Sequence, residues 1–497
     1  MKNRVTLLNI SLSLLLQVVS VISALIIPRL ILSTFGSSVN GLTASITQFL
    51  NYIALVEGGI TGVIAANLYK PLVDKDWGKL SSVLSTARSF YRKIGSIFIV
   101  YTIVIGIVYP HVVDTGFGSF YVFVLTGVLS VGLLLQYMFS LTMTTLLNAD
   151  KKVYVVSGVS ILLTSGNIGL VVLVVKCFPD IILLKAASAA LFALMPLVFG
   201  IYIKRHYKIN WNAPKNNDLI KQRWNGFAIN LAFFIHISTD ITILTFMSDL
   251  ETVSVYSVYF LIVSKVSVLV HSIASGIEPT IGQAYAKNDM GELHEKLDLY
   301  EYIIFFSVGI VFALMALLIT PFVQIYTDGV NDANYYQPLF GVLLVLAEAL
   351  YLIKYPHLTL AYSANKFKEI TVPAYIELTI NIVVSIALIK PLGLIGLAIG
   401  TASGMLYRMI FHVFFTKKMI PDRRQSIFYR KLLIIIVATT LGALLCRFVF
   451  PFDSLTIYSW IVHGFVYGIV FVGVYAVASG LFFRREINYF VKYIKKR

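Results

Sequence analysis

Residues 40–80 read NGLTASITQFLNYIALVEGGITGVIAANLYKPLVDKDWGKL. The stretch follows a polar turn (Gly36, Ser37, Ser38), opens on Asn40-Gly41, and ends among Lys70, Asp74, Lys75, Asp76 and Lys79. Between these ends lie some thirty mostly apolar residues, enough helix at about 1.5 Å per residue to cross a hydrocarbon core of about 30 Å. In the middle stands Glu57, followed at once by Gly58 and Gly59, with Gly62 one turn further on. A carboxyl group at membrane depth is costly and must face protein or water rather than lipid. The adjacent glycines leave the helix thin there and easy to bend. Two readings stay open. Either Glu57 is protonated and packed against a neighbour, or it is a titratable group lining a cavity beside a hinge.

The rest of the chain agrees with the class. Its 497 residues are 58% hydrophobic and 13% charged, and the mean hydropathy is +0.84, far from soluble averages. Apolar runs of about 18–25 residues recur from end to end, the pattern of an all-α polytopic membrane protein. About fourteen transmembrane helices are expected, with no loop long enough for a soluble catalytic domain. Helix 1 (5–34) reads as a retained first helix, interrupted at Pro28-Arg29. The basic segment 77–93 reads as a short amphipathic helix on the inner membrane face, with helix 3 following at 94–112. Helix 7 is expected at 225–247 and helix 10 at 338–362.

The net charge of +16 suggests a nucleic acid or anionic lipid partner. Its placement argues for topology instead, and no nucleic acid partner is expected. With both termini in the cytoplasm, 32 of the 40 Lys and Arg residues fall in internal segments, as the positive-inside rule requires. Cys177 and Cys446 have no metal-ligand spacing; both fall near the outer side, so a bridge stays open.

An internal repeat is visible. Tyr69, at the end of helix 2, recurs as Tyr285, and Asn148-Ala149-Asp150-Lys151 recurs as Ser363-Ala364-Asn365-Lys366. Two six-helix halves of like orientation follow, a known transporter plan. The domains are then 1–215, 216–416, and 417–497, the last holding a basic linker, helices 13 and 14 and a basic tail.

Few ionisable residues remain at membrane depth. Lys265 lies mid-way along helix 8 near Ser264, Ser267 and His271. Lys354 and His357 lie three apart in helix 10, below Glu348. Asp240 and His236 share a face of helix 7, and Glu377 and Asn381 a face of helix 11. In helix 12, Gly396, Gly400, Gly404, Arg408 and His412 follow at steps of four. That spacing makes a small-residue groove for a partner helix and carries a guanidinium and an imidazole on the same face. Each residue alone has a bland reading, as a structural pair or, for Arg29, as a side chain snorkelling to the interface. Together, cations too deep to reach water imply an anionic guest. There is no phosphate-binding loop, nucleophile elbow or zinc motif, so an enzyme is not expected and no cofactor is implied beyond proton or sodium coupling.

The run IPRLILSTFGSSVNGLTASITQFLNYIALVEGGI, then LYKPLVDKD and SFYRKIGSIF, resembles bacterial polysaccharide biosynthesis proteins of the Wzx-type flippase group, within the multidrug/oligosaccharidyl-lipid/polysaccharide (MOP) exporter superfamily. The resemblance implies two six-helix bundles facing a central cavity, with two extra C-terminal helices. It also implies alternating access that carries an undecaprenyl-diphosphate-linked oligosaccharide from the inner to the outer leaflet of the cytoplasmic membrane, for O-antigen, capsule or lipopolysaccharide assembly. Membrane lipids, a polysaccharide polymerase and a chain-length regulator are the implied partners. Lys265, Arg408, Lys354, Arg29, His271 and His412 are then the candidates to hold the diphosphate. Glu57, Gly58, Gly59, Asp240 and Glu377 are candidates for coupling or gating. A drug or metabolite antiporter, which favours cavity carboxylates over cations, and a membrane glycosyltransferase or polymerase are the competing readings.

Overall fold

The computed structural model describes residues 2–57, 59–216, 218, 238–452 and 454–495. Among them, twelve helices are long and apolar enough to cross a membrane. The first, Arg4–Glu57, has 54 residues and would be about 80 Å long if straight, more than twice a bilayer core. It is not straight. Within α1 (Lys2–Asn51) the chain leaves helical geometry at Gly36, where φ is 83° and ψ 176°, a conformation open to glycine and strained for other residues. Gly36 therefore divides α1 into two spans. The helix passes through Pro28 unbroken, which corrects the expected interruption there; neighbouring groups in a bundle can absorb a proline's missing N–H. Most of expected helix 7, including His236, lies outside the described residues, and 238–247 are helical.

The second span breaks as well. α1 ends at Asn51, α2 is the single turn Ala54–Glu57, and α3 is Ile60–Asp74. α4 then runs unbroken from Trp77 to Val112. The expected surface helix over 77–93 is thus the first part of α4. Leu80, Leu84 and Phe90 continue one apolar stripe into Ile94 and Phe98, and all five are buried in the bundle. α5 (Ser119–Leu135), a π turn (Gln136–Ser140) and α6 (Leu141–Ala149) form the next span, followed by α7 (Val153–Cys177), α8 (Ile181–Phe192) and α9 (Leu194–His206). The remaining helices are α10 (Leu250–Ala286), α11 (Met290–Tyr326), α12 (Pro338–Ile353), α13 (Tyr355–Ser363), α14 (Phe367–Leu392), α15 (Leu394–Thr416), α16 (Ser426–Val449), α17 (Ile457–Phe482) and α18 (Arg484–Lys495). The chain forms two compact units, Met1–Ser254 and Val255–Arg497. Cys177 and Cys446 are both free thiols.

The repeat is written in the backbone. Among the described residues, the non-glycine residues with positive φ are Lys75, Lys151, Asn288 and Asn365, at 53°, 59°, 58° and 56°. They fall into two pairs. Lys75 precedes Asp76, which caps α4 by accepting from the Lys79 N–H at 2.9 Å, and Asn288 precedes Asp289, which caps α11 by accepting from the Glu292 N–H at 3.0 Å. Lys151 and Asn365 sit in matching helix ends, where the N–H of Lys152 reaches Leu147 O at 2.8 Å and that of Lys366 reaches Ala361 O at 3.0 Å. Such six-to-one bonds close a helix through a left-handed residue. These turns correct the register read from side chains. Lys75 matches Asn288, so the Tyr69–Tyr285 pairing is three residues out of step, and the Asn148–Ser363 pairing one.

Candidate substrate and coupling site

In the first unit the candidate group is Glu57. The chain arrives through the turn at Tyr52 and Ile53 and leaves through Gly59, whose φ of 77° and ψ of 12° place it in the left-handed region. Glu57 is thus held at an interruption in a membrane helix, and Gly58 lies outside the described residues. The Thr61 hydroxyl donates to the Glu57 carboxylate and also bonds Tyr91 Oη at 2.6 Å. Tyr137, in the π turn, also approaches Glu57. Hydroxyl groups thus surround the Glu57 carboxylate. Asp240 is 3% exposed in the run 238–247 and Arg29 is half-buried on α1; both have polar partners of their own.

The second unit concentrates the charges. α14 and α15 form an antiparallel hairpin about Gly393, and the glycines at 396, 400 and 404 bring them together. A methyl group at these positions would run into Leu388, Ser385 and Glu377 respectively. The partner helix that the groove admits is therefore α14. Along the seam Asn381 donates to Thr401 at 3.3 Å, and Ser385 reaches Leu397 O at 3.3 Å. At its end away from Gly393, Arg408 and Glu377 form an ion pair, with side chains 12% and 5% exposed. Arg408 is thus a paired cation, since the groove that admits the guanidinium also delivers its carboxylate.

Lys354 occupies the break between α12 and α13. It is 1% exposed, with Nζ 4.0 Å from the Tyr351 ring centroid and 3.9 Å from Met405 Sδ. Glu377, Arg408 and Glu348 lie within its electrostatic range. A cation over an aromatic face, with carboxylates close by, is one way an ammonium tolerates burial. His412 is fully buried, its Nδ1 facing Arg408 O at 2.8 Å while Nε2 has no partner. Lys354, Arg408, Glu377 and His412 thus form one buried cluster. α10 approaches it from another side through a polar stripe at three- and four-residue steps. Ser267 donates to Glu348 at 3.0 Å, and His271 Nε2 meets Tyr355 Oη, the two rings edge to face at 4.7 Å. Lys265, on the same helix, is half-buried and makes no hydrogen bond or ion pair among the described residues.

A second buried network stands where the sequence suggested only a basic linker. Glu301 on α11 is fully buried. It takes Arg423 at 2.7 Å and Lys431 at 3.0 Å, with His357 Nε2 at 3.3 Å. Asp298 joins at 2.9 Å from Arg423 and 2.8 Å from Lys431, and Glu486 of α18 at 3.4 Å from Lys431. Burial pulls the Arg423 guanidinium pKa down, but Glu301 and Asp298 more than offset this and leave it above its ordinary value. His357, three residues from Lys354, belongs to this network rather than to the Lys354 cluster.

Solved structures share this arrangement of helices. The lipid II flippase MurJ, in an inward closed conformation, aligns with a TM-score of 0.73 over 97% of this chain and 100% of its own, at 14% identity. An inward-facing multidrug resistance MATE family transporter of the MOP superfamily aligns at 0.57 over 84% of this chain and 99% of its own, at 13% identity. The chain has the MOP-superfamily fold. The MATE multidrug transporter DinF-BH aligns at 0.55 over 85% of this chain and 96% of its own, at 17% identity. These neighbours are transporters and a flippase. No family model and no curated protein sequence matches the chain.

Proposed function

We propose that this MOP-fold chain is a flippase. It moves a polyprenyl-diphosphate-linked oligosaccharide from the inner to the outer leaflet of a bacterial cytoplasmic membrane by alternating access, for surface polysaccharide assembly. The observation that carries the reading is the extent of the MurJ likeness. It covers 97% of the chain, whereas the two MATE alignments leave 15–16% uncovered, close to the length of the segment 417–497. The likeness to a lipid-substrate flippase thus includes the helices that follow the two repeats. Both termini lie in the cytoplasm on this reading, as the distribution of Lys and Arg supports.

The chemistry is a change of partner. Lys354 and Arg408 offer two cations, with Glu377 already seated on the guanidinium and Glu348 within electrostatic range of Lys354. An incoming diphosphate competes for Arg408 with more acceptor oxygens and more charge than Glu377 brings. Glu377, released, takes a proton or a sodium ion, which ties substrate entry to ion uptake. Lys354 completes the anion site, Lys265, His271, His412 and Arg29 contribute at its approaches, and Glu57 with Gly59 and Asp240 serve gating in the first half.

In a host lacking the gene, lipid-linked oligosaccharide is expected to accumulate on the cytoplasmic face. Wild type relieves the accumulation, while Arg408→Ala and Glu377→Gln do not. Relief by all three keeps the flippase and removes this site. A host that still exports polymer and changes only its drug tolerance establishes the antiporter reading, which the MATE likenesses favour.

A further inference from the structure

The basic first half of α4 plays no part in this transport reading, yet it builds a cavity. Arg88, Arg92 and Lys93 line a space of about 520 Å3 together with Lys215 and Trp211 from the segment after α9. That segment is fixed to α4. The Asn210 N–H donates to Ser81 Oγ at 3.0 Å, Ser82 Oγ donates to Pro214 O at 2.6 Å, and the Asn216 N–H donates to Thr86 Oγ1 at 2.9 Å. Four cations face the cavity and, among the described residues, no carboxylate lines it. Arg88 and Arg92 stand one helical turn apart, a like-charge spacing that destabilises a helix left to itself. Ser85 and Ser89 add hydroxyl groups to the same wall. This lining suits a phosphate.

A second cavity adjoins the first. Arg88, whose guanidinium lies 5.0 Å from the Trp211 ring centroid, and Trp211 itself also border a space of about 370 Å3 walled mostly by apolar side chains, Met138, Phe139, Met143 and Ile203 among them, with Thr142, Lys204 and Tyr207 as its polar members. A cationic chamber and an apolar one thus meet at the Arg88–Trp211 stack. The positive-inside rule puts this end of α4 on the cytoplasmic side. The geometry points to a binding site, separate from the transport cluster, for an anionic phospholipid of the inner leaflet. Its headgroup phosphate sits among Arg88, Arg92 and Lys215, and one acyl chain enters the apolar chamber.

The test uses the full-length protein in neutral-lipid nanodiscs, with phosphatidylglycerol and inorganic phosphate titrated separately and bound ligand counted by native mass spectrometry. The double variant Arg88→Gln/Arg92→Gln is expected to bind phosphatidylglycerol roughly thirtyfold more weakly, about 2 kcal/mol at about 1.4 kcal/mol per decade. Met143→Trp, which fills the apolar chamber, weakens the lipid and leaves inorganic phosphate untouched. Lys70→Gln/Lys79→Gln, basic but outside the cavity, leaves both unchanged, and melting in neutral lipid checks that every variant is folded. Binding of phosphatidylglycerol to the double variant as to wild type overturns the site. Loss in the double variant with no effect of Met143→Trp overturns the lipid in favour of free phosphate.

Discussion

The two halves of the repeat place a polar group at nearly the same step and treat it in opposite ways. Glu57 and His271 lie within one residue of equivalence, and each is bonded to a hydroxyl four residues on, Thr61 and Ser275. A tyrosine attends each as well, Tyr137 for Glu57 and Tyr355 for His271. Around Glu57 the helix is broken on both sides, at 52–53 and at Gly59. Around His271, α10 is continuous for 37 residues. In the first unit the ion pairs Lys79–Asp76 and Lys152–Asp150 lie at helix ends with their side chains partly exposed. The second buries two networks. One half holds a bendable helix and the other holds the fixed charge, a division of labour that the symmetric sequence pattern conceals.

The largest effect on this contrast is expected at Glu301. Glu301→Ala leaves Arg423 and Lys431 buried without their main acceptor, which costs about 3–5 kcal/mol and is read as a lower melting temperature. An unchanged melting temperature means the network does not fasten the C-terminal segment. Next comes the Arg408–Glu377 pair, proposed above to exchange partners with the substrate. Truncating one member of a buried charge pair costs about 2–5 kcal/mol, so Arg408→Ala is expected to reduce flipping in reconstituted vesicles roughly thirtyfold or more. The exchange Arg408→Glu/Glu377→Arg restores the melting temperature and leaves flipping absent; if flipping returns, the pair is structural only.

Smaller effects separate the stiff half from the bendable one. Gly400→Leu forces α14 from α15 and costs about 1–3 kcal/mol, with the Arg408–Glu377 pair lost from infrared carboxylate bands. Smallest is Gly59→Ala, about 1–2 kcal/mol for a side chain in the left-handed region. Gly62→Ala, where an added methyl meets nothing within 4 Å, is neutral or slightly stabilising. Equal effects at the two glycines dissolve the distinction between a hinge and an ordinary helical turn.

Much of the fold was legible because hydropathy needs no partner. A span such as 153–175 announces itself, and α7 occupies Val153–Cys177. Register was less legible, since two tyrosines are a weaker sign than the left-handed residues that end the helices. The Arg408–Glu377 pair had a readable signal in hindsight: in a hairpin turning at Gly393, residues 15 after and 16 before the turn face each other. The Glu301 network had none. Glu301 lies 122 and 130 residues from Arg423 and Lys431 in sequence, and only tertiary packing brings them together.

The glycine seam between α14 and α15 has a mechanical consequence. Parting those helices along their whole length would break two hydrogen bonds and a buried ion pair together. The hairpin therefore behaves as a girder that transmits displacement without yielding. Compliance is left to the interrupted places, at residues 52–59 and at Lys354. On the proposed alternating-access reading, the joints lie there and the struts between them.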